Sequence, residues 1–497
     1  MTMTHHRFSA LLLSALVASS VAIAQDNAPA PATPELTLAQ CIARALQKNF
    51  DLEIGRYNPQ IAKDSIDVAK AGFDPTISLT STRTFAQQAN SQTALDGSAT
   101  PTSDSTNTRL GVNQRIATGA SVDLSTRLSR SSTNSTFSTL NPVYNADVTL
   151  SVSQPLLRGF GSAVSQAGIE RADIGLQRAN LDFKTQALIV IQSTENAYYN
   201  LTFAREQLAV FNTSYALANR LYEEAKTRRD TGVATDLDVL SAQVGVANAR
   251  RNVILAEQTA KDRQDALLAL IGQFQLDESV GTVRFPRVDS AAPTFVSSLL
   301  MARQSQPEIL SSQAAIEQLR IDLRLAKNAK LPSLSVGGAL GFSGRQGGAE
   351  AAYNQIPDHD GYTWQANLSL SVPWGFRGDK ASYRQSLATL SREESRLRQL
   401  EQSVEVQVRS AVRSVETNME SVKIAALSSE LSQKQYELEK ARFDAGLSTS
   451  YRVLQAQTDL DKARVNELQA RVALNSAIAA LHRIEGSSLQ RYSVNLP

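Results

Sequence analysis

The sequence is poor in the raw materials of catalysis. Its 497 residues include one Cys, four His and two Trp. That leaves little for a metal centre, a disulfide framework or an imidazole-based active site. No charge sign is in excess: 50 Lys and Arg against 48 Asp and Glu leave a formal charge of +2. This excludes a broadly basic nucleic-acid binder and a strongly acidic tail. Proline is missing where its absence says most. None of the fifteen lies between Pro155 and Pro286, and none between Pro373 and Pro497. An interior proline costs a helix about 3 kcal/mol. The two gaps therefore predict very long helices rather than a compact enzyme domain.

Long apolar runs are absent except at the N-terminus, so no membrane-spanning helix is expected in the rest of the chain. Residues 1–24 read as a signal peptide. His5, His6 and Arg7 supply the polar start, Phe8 to Ile23 the apolar stretch, and Ala22-Ile23-Ala24 the cleavage site. The competing reading, a membrane anchor, needs a longer apolar stretch. Residues 25–35 follow as a flexible segment. Cys41 stands too far from the cleavage site to carry a lipid and is expected as a small buried hydrophobe.

What is present is a duplication. Residues 228–243, RRDTGVATDLDVLSAQ, align without gaps to 442–457, RFDAGLSTSYRVLQAQ, and the same offset of 214 carries Gly272 onto Gly486. AKAGFDPTISL (69–79) matches AKNAKLPSLSV (326–336), placing Pro75 on Pro332. SVSQPLLRG (151–159) matches SLSVPWGFR (369–377), placing Pro155 on Pro373. The two offsets, 257 and 218, give repeat one about 39 extra residues between its prolines. Repeat one spans 36–283 and repeat two 290–488. Each runs helix, strands, very long helix, glycine turn, helix. Helices are expected over 37–72, 162–229 and 236–271, then over 293–330, 379–444 and 450–485. The long hairpins cover 162–272 and 379–486, and the strands fall within 76–155 and 333–373. Leu387, Leu390, Leu397, Val404, Val408, Ala411, Val415, Met419, Val422 and Ala426 form a heptad-like seam, read as a packing face.

The β segments alternate. Val148, Leu150 and Val152 are spaced by Thr and Ser; Trp364, Ala366, Leu368, Leu370 and Val372 by Gln, Asn and Ser. Ile77 and Leu79 behave alike, as do Leu334, Val336, Leu340 and Phe342. The insertion adds two further runs: Leu110, Val112 and Ile116, then Val122, Leu124 and Leu128. Such strands, with long Ser/Thr/Gly-rich links and the short Ala117–Ala120 turn, are the signature of a transmembrane β-barrel. One chain offers four to six strands, fewer than the smallest membrane barrel, and open edges cannot face lipid. If these strands span a membrane rather than half-bury in a water-soluble sandwich, the barrel must be shared between chains.

LTLAQCIARALQKNFDLE (36–53), QPLLRGFG (154–161) and the two glycine turns with their L-x-x-Q continuations resemble the TolC family of outer-membrane efflux proteins. The resemblance runs from about 36 to 488 in both repeats. It implies a mixed α and β membrane protein, a trimeric transmembrane β-barrel continued by a long periplasmic α-helical barrel. It implies a homotrimer in outer-membrane lipid. A periplasmic adaptor and an inner-membrane pump of the RND, ABC or MFS type would be its partners, with no cofactor, no catalytic residue and no nucleic acid. The hairpin tips, Gly232 and Thr235 with Gly446 and Thr449, would meet the adaptor. Where the family places gating aspartates, this chain has Arg452 and Gln455, and where it places a latch tyrosine and arginine, Phe443 and Ser448. Asp238 keeps the family's aspartate, with Asp236 nearby. The expectation is that Arg452 of one hairpin pairs with Asp236 or Asp238 of another and shuts the pore. The alternative function weighed against an export duct is a trimeric surface or adhesive stalk. His359 falls in a loop, and His482 is expected as a helix C-terminal cation.

Overall fold

The computed structural model describes residues 36–89, 98, 100–272, 281–286, 293–358 and 360–492. The expected signal peptide, residues 25–35 and His359 lie outside the described residues. The chain opens with α1 (Leu38–Lys48) and α2 (Phe50–Ala71), then β1 (Thr76–Gln87), β2 (Thr102–Arg115), β3 (Ser121–Thr133) and β4 (Val143–Pro155). A short α3 (Ser162–Ser165) leads into α4 (Ala167–Asp230) and α5 (Asp236–Leu270). The second half repeats the order. It has α6 (Phe295–Ser305), α7 (Pro307–Ala329), β5 (Ser333–Gln346), α8 (Ala349–Asn354), β6 (Tyr362–Ser371), α9 (Arg377–Asp444), α10 (Ser450–Glu485) and α11 (Ser488–Arg491).

Proline-free sequence gives the lengths: α4 has 64 residues and α9 has 68. At 1.5 Å per residue each is about 100 Å long. α4 packs with α5 and α9 with α10 as two hairpins, which meet where α10 lies on α4.

The opening helices differ from the expected 37–72 and 293–330, because each is broken once. The first break is at Asn49, whose extended backbone ends α1. Its side chain accepts from the N–H groups of Asp51 and Leu52, starting α2, and donates to the Leu270 carbonyl at 3.0 Å. The second break is at Gln306, with Pro307 in the first turn of α7. Asn49 and Gln306 stand at the same point of the two repeats, 257 residues apart.

Among the described residues three cores hold the helices. Cys41, Ile42, Ala45 and Leu52 pack on Ile191, Leu201, Leu267 and Ile271. In the second repeat Ala302 and Ile309 pack on Val404, Val408, Val412, Val415 and Leu481. The predicted seam is thus used for packing over 404–415. The third core joins the hairpins, with Leu221 against Tyr436, Phe443, Val453 and Leu460. At the chain's end, the Tyr492 hydroxyl donates to Glu195 of α4 at 2.7 Å and ties repeat two back to repeat one.

Candidate channel wall and periplasmic entrance

The six strands form one antiparallel sheet in sequence order, β1 to β6. Each is 10 to 14 residues long. The register lines the apolar positions up across all of them. Leu79 faces Leu110, and Val112 faces Leu124. Leu124 faces Leu150, Leu150 faces Leu340, and Leu340 faces Trp364. Every second residue therefore adds to one apolar face, which in the single chain is bare: Leu79, Leu368 and Trp364 are 70 to 71% exposed. The other face is Ser, Thr, Asn and Gln with a few charges. There Arg109 and Arg127 sit directly opposite each other, Arg109 held by Asp123 at 3.0 Å and Arg127 by Asp147 at 2.8 Å. Like charges opposed across a strand pair are destabilising unless countered.

Four strands continue into helices: β1 from α2, β4 into α3 and α4, β5 from α7, and β6 into α9. The inserted pair β2–β3 does not. Its Ala117–Ala120 turn docks on the β4–α3 junction. The Thr118 hydroxyl donates to Gln154 Oε1 at 3.0 Å, and the Thr118 carbonyl accepts from the Gly161 N–H, also at 3.0 Å. Ser165 donates to the Ala117 carbonyl. Gly119 has φ +92°, and a Cβ there would sit 2.4 Å from the Gly159 carbonyl oxygen, so only glycine fits. The insertion widens the sheet without adding a helix.

At the opposite end of the long helices, Gly232 and Gly446 make the turns, with φ of 78° and 77°. Val233 N–H bonds to the Arg228 carbonyl and Leu447 N–H to the Arg442 carbonyl, each at 2.8 Å, closing the helix ends in the same way. Thr235 and Asp238 form a capping box at the start of α5. The Thr235 hydroxyl, bonded to Asp238 Oδ2 at 2.7 Å, holds that carboxyl below its ordinary pKa. Thr449 makes no side-chain cap bond to α10.

The expected gate residues are scattered in their roles. Phe443 is buried, 5% exposed, with the Arg228 guanidinium 4.1 Å above its ring and Arg228 Nη1 donating to its carbonyl at 3.1 Å. It is a clasp between the two hairpins of one chain. Ser448 donates to Glu439, and Gln455 to Asp459 one turn along α10. Asp238 is committed to its cap, whereas Asp236 is 94% exposed, with Arg229 3.9 Å away. Arg452 is exposed and makes no ion pair among the described residues. Sequence reasoning missed Arg228, whose partner lies 215 residues away, and missed that the tips are apolar. Val233, Leu237, Leu447 and Tyr451 are 66 to 79% exposed. Their clustering around both glycines was the available signal. His482 is no cation: burial and the Arg491 guanidinium push its pKa down to about 4.

A duplicated chain with an apolar-faced sheet at one end and two helical hairpins of about 100 Å at the other has the build of an outer-membrane channel protein. The outer membrane efflux protein family profile matches residues 120–273 and 299–487. The chain is 27% identical over 339 residues to the pyoverdine export outer membrane protein OpmQ of Pseudomonas aeruginosa, covering 65% of this chain and 67% of that one. It is 25% identical over 334 residues to the outer membrane protein TolC of Vibrio cholerae, covering 65% and 73%. Its fold matches the outer-membrane channel OprN with a TM-score of 0.68 over 91% of this chain and 90% of that one, at 18% identity. The chain belongs to the outer membrane efflux protein family. It is an efflux channel of the outer membrane that extends into the periplasm, and the surface-stalk alternative is not favoured.

Proposed function

We propose that three copies of the chain close into one barrel and serve as the passive exit duct of a tripartite export system. The observation that carries this reading is the sheet itself. Its apolar face needs lipid, and its edges, β1 and β6, have no further strand partner among the described residues. Unpaired strand edges are not tolerated in a bilayer, so β6 of one copy pairs with β1 of the next. Three six-stranded sheets make an eighteen-stranded barrel. The polar face lines its lumen, and the long helices continue it through the periplasm.

The apolar tips at Val233, Leu237, Leu447 and Tyr451, around Gly232, Thr235, Gly446 and Thr449, are the surface for a periplasmic adaptor. The adaptor couples the duct to an inner-membrane pump, which supplies the energy. At the entrance, Arg452 of one hairpin meets Asp236 of a neighbouring one and holds the pore closed. Native mass spectrometry of the detergent-extracted protein should give a trimer, and planar bilayers should show discrete conductance steps. A monomer, or a trimer that carries no current, overturns the reading.

A further inference from the structure

Among the described residues, charge interrupts the apolar face of the sheet at Arg83, Asp104 and Arg130. Leu79 and Leu110, paired across β1 and β2, belong to the band nearer the helices. Four residues beyond Leu79, about 13 Å along the strand, Arg83 projects from the same face. The register runs Arg83 to Thr106, Thr106 to Arg130 and Arg130 to Tyr144, one row across four strands. Since β1 leaves α2 at its Thr76 end, this row lies towards the loop end of the sheet, away from the helices.

Asp104, one step further out on the same face, organises the row. Arg83 donates to it through Nε at 3.0 Å and Nη2 at 2.9 Å, a bidentate pair. Arg130 Nη1 stands 3.7 Å from the same carboxylate. The carboxylate is recessed, 20% exposed, while Arg83 and Arg130 are 71% and 37% exposed. Among the described residues two guanidiniums share one anion, which leaves one positive charge per chain on the face read as meeting lipid. A guanidinium is far less costly near the membrane interface than at the midplane. A planar fork with free N–H groups is suited to phosphate, and basic clusters at this depth bind lipid headgroups.

We propose that Arg83 and Arg130, oriented by Asp104, form a binding site for the phosphate of an outer-leaflet glycolipid, one site per chain. The proposal rests on the reading that this sheet spans the outer membrane with its loop end outward. The test is native mass spectrometry of the purified trimer with bisphosphorylated lipid A, its phosphate-free counterpart, or inorganic phosphate. Arg83→Gln with Arg130→Gln should weaken lipid A binding about thirtyfold, two cationic contacts being lost. Binding of the phosphate-free lipid should not change. Thr106→Arg, which adds a guanidinium between the two, should strengthen lipid A binding. Equal lipid A affinity in wild type and the double variant overturns the site. Displacement of lipid A by inorganic phosphate at matched concentration overturns its assignment to a lipid. Bilayer conductance of the same preparations reads the channel separately: a silent trimer that still binds lipid A sinks the duct and leaves the site standing.

Discussion

Gly272 lies against the backbone of Lys48, so close that a Cβ on it would stand 2.3 Å from the Lys48 carbonyl oxygen. Gly486 has the same relationship with Ser305, at 2.7 Å. Glycine and partner are each carried from one repeat to the other, by offsets of 214 and 257. The returning helix of each hairpin thus ends on the break between the two opening helices. That contact fixes where the long hairpin begins relative to the sheet.

Gly272→Ala should be far more costly than Gly232→Ala. Both glycines have positive φ, of 66° and 78°, which costs an L side chain about 1–2 kcal/mol. Nothing lies within 4 Å of a Cβ at Gly232, so its substitution carries only that conformational term. At Gly272 the Lys48 backbone must also move, and the loss should reach roughly 3 kcal/mol or more. Thermal unfolding of the purified variants distinguishes them. Equal shifts in Tm would mean that the close approach carries no energy.

His482 should make the protein acid-sensitive. Its folded pKa of about 4 lies below the ordinary 6.5 because burial and Arg491 oppose its charge. Above pH 6.5 the imidazole is neutral in folded and unfolded chains alike, and its protonation has no effect on stability. As pH falls from 6.5 to 4 the unfolded chain takes up the proton first, so stability is lost across that window, by about 3 kcal/mol at most. Buried Glu195 has a raised pKa, for which burial is the main cause. It works the other way, losing stability as pH rises. The measurement is therefore the difference between wild type and His482→Leu. The variant should lose less stability between pH 6.5 and 4, and parallel profiles would refute the assignment.

The long hairpins were legible because proline is absent and the glycine turns are duplicated, both local signals. The strands were legible wherever alternation was unbroken, as in 362–371, and least so in β5, where Gly337, Gly338 and Gly341 interrupt the pattern. The break at Asn49 was not legible, because Asn49 holds its place through Leu270, 221 residues away. The break at Gln306 was signalled by Pro307, which the expected 293–330 helix ran through. His482 was misread because burial, and after it the Arg491 guanidinium nine residues on, decide its charge rather than its place near a helix end. The resemblance put Phe443 at the position of a latch tyrosine, and in the structure its ring packs in the core between the hairpins under the Arg228 guanidinium.

The two faces of the sheet should tolerate charge unequally. Leu150 lies mid-strand on the apolar face, between Leu124 and Leu340; Thr149 beside it points to the polar face. Leu150→Arg should cost about 2–4 kcal/mol in the membrane, and Thr149→Arg little. The yield of folded, heat-modifiable protein in outer-membrane fractions measures the difference. If both variants assemble equally, the apolar face does not meet lipid.

Arg452 should control how often the duct opens. Asp238 is held by Thr235 at the start of its helix, which leaves Asp236 as the uncommitted carboxylate of the first turn of α5. A solvent-exposed ion pair is worth about 0–1 kcal/mol. Three symmetric copies acting together would then shift the opening equilibrium by about tenfold. Arg452→Ser should raise closed-state conductance in planar bilayers, and Asp236→Asn should reproduce it. Combining the two should add nothing, because either change alone removes the pair. An additive double variant would show two independent surface charges. Unchanged conductance in Arg452→Ser would place the closing contact elsewhere, with the buried Arg228–Phe443 clasp as the next position to test.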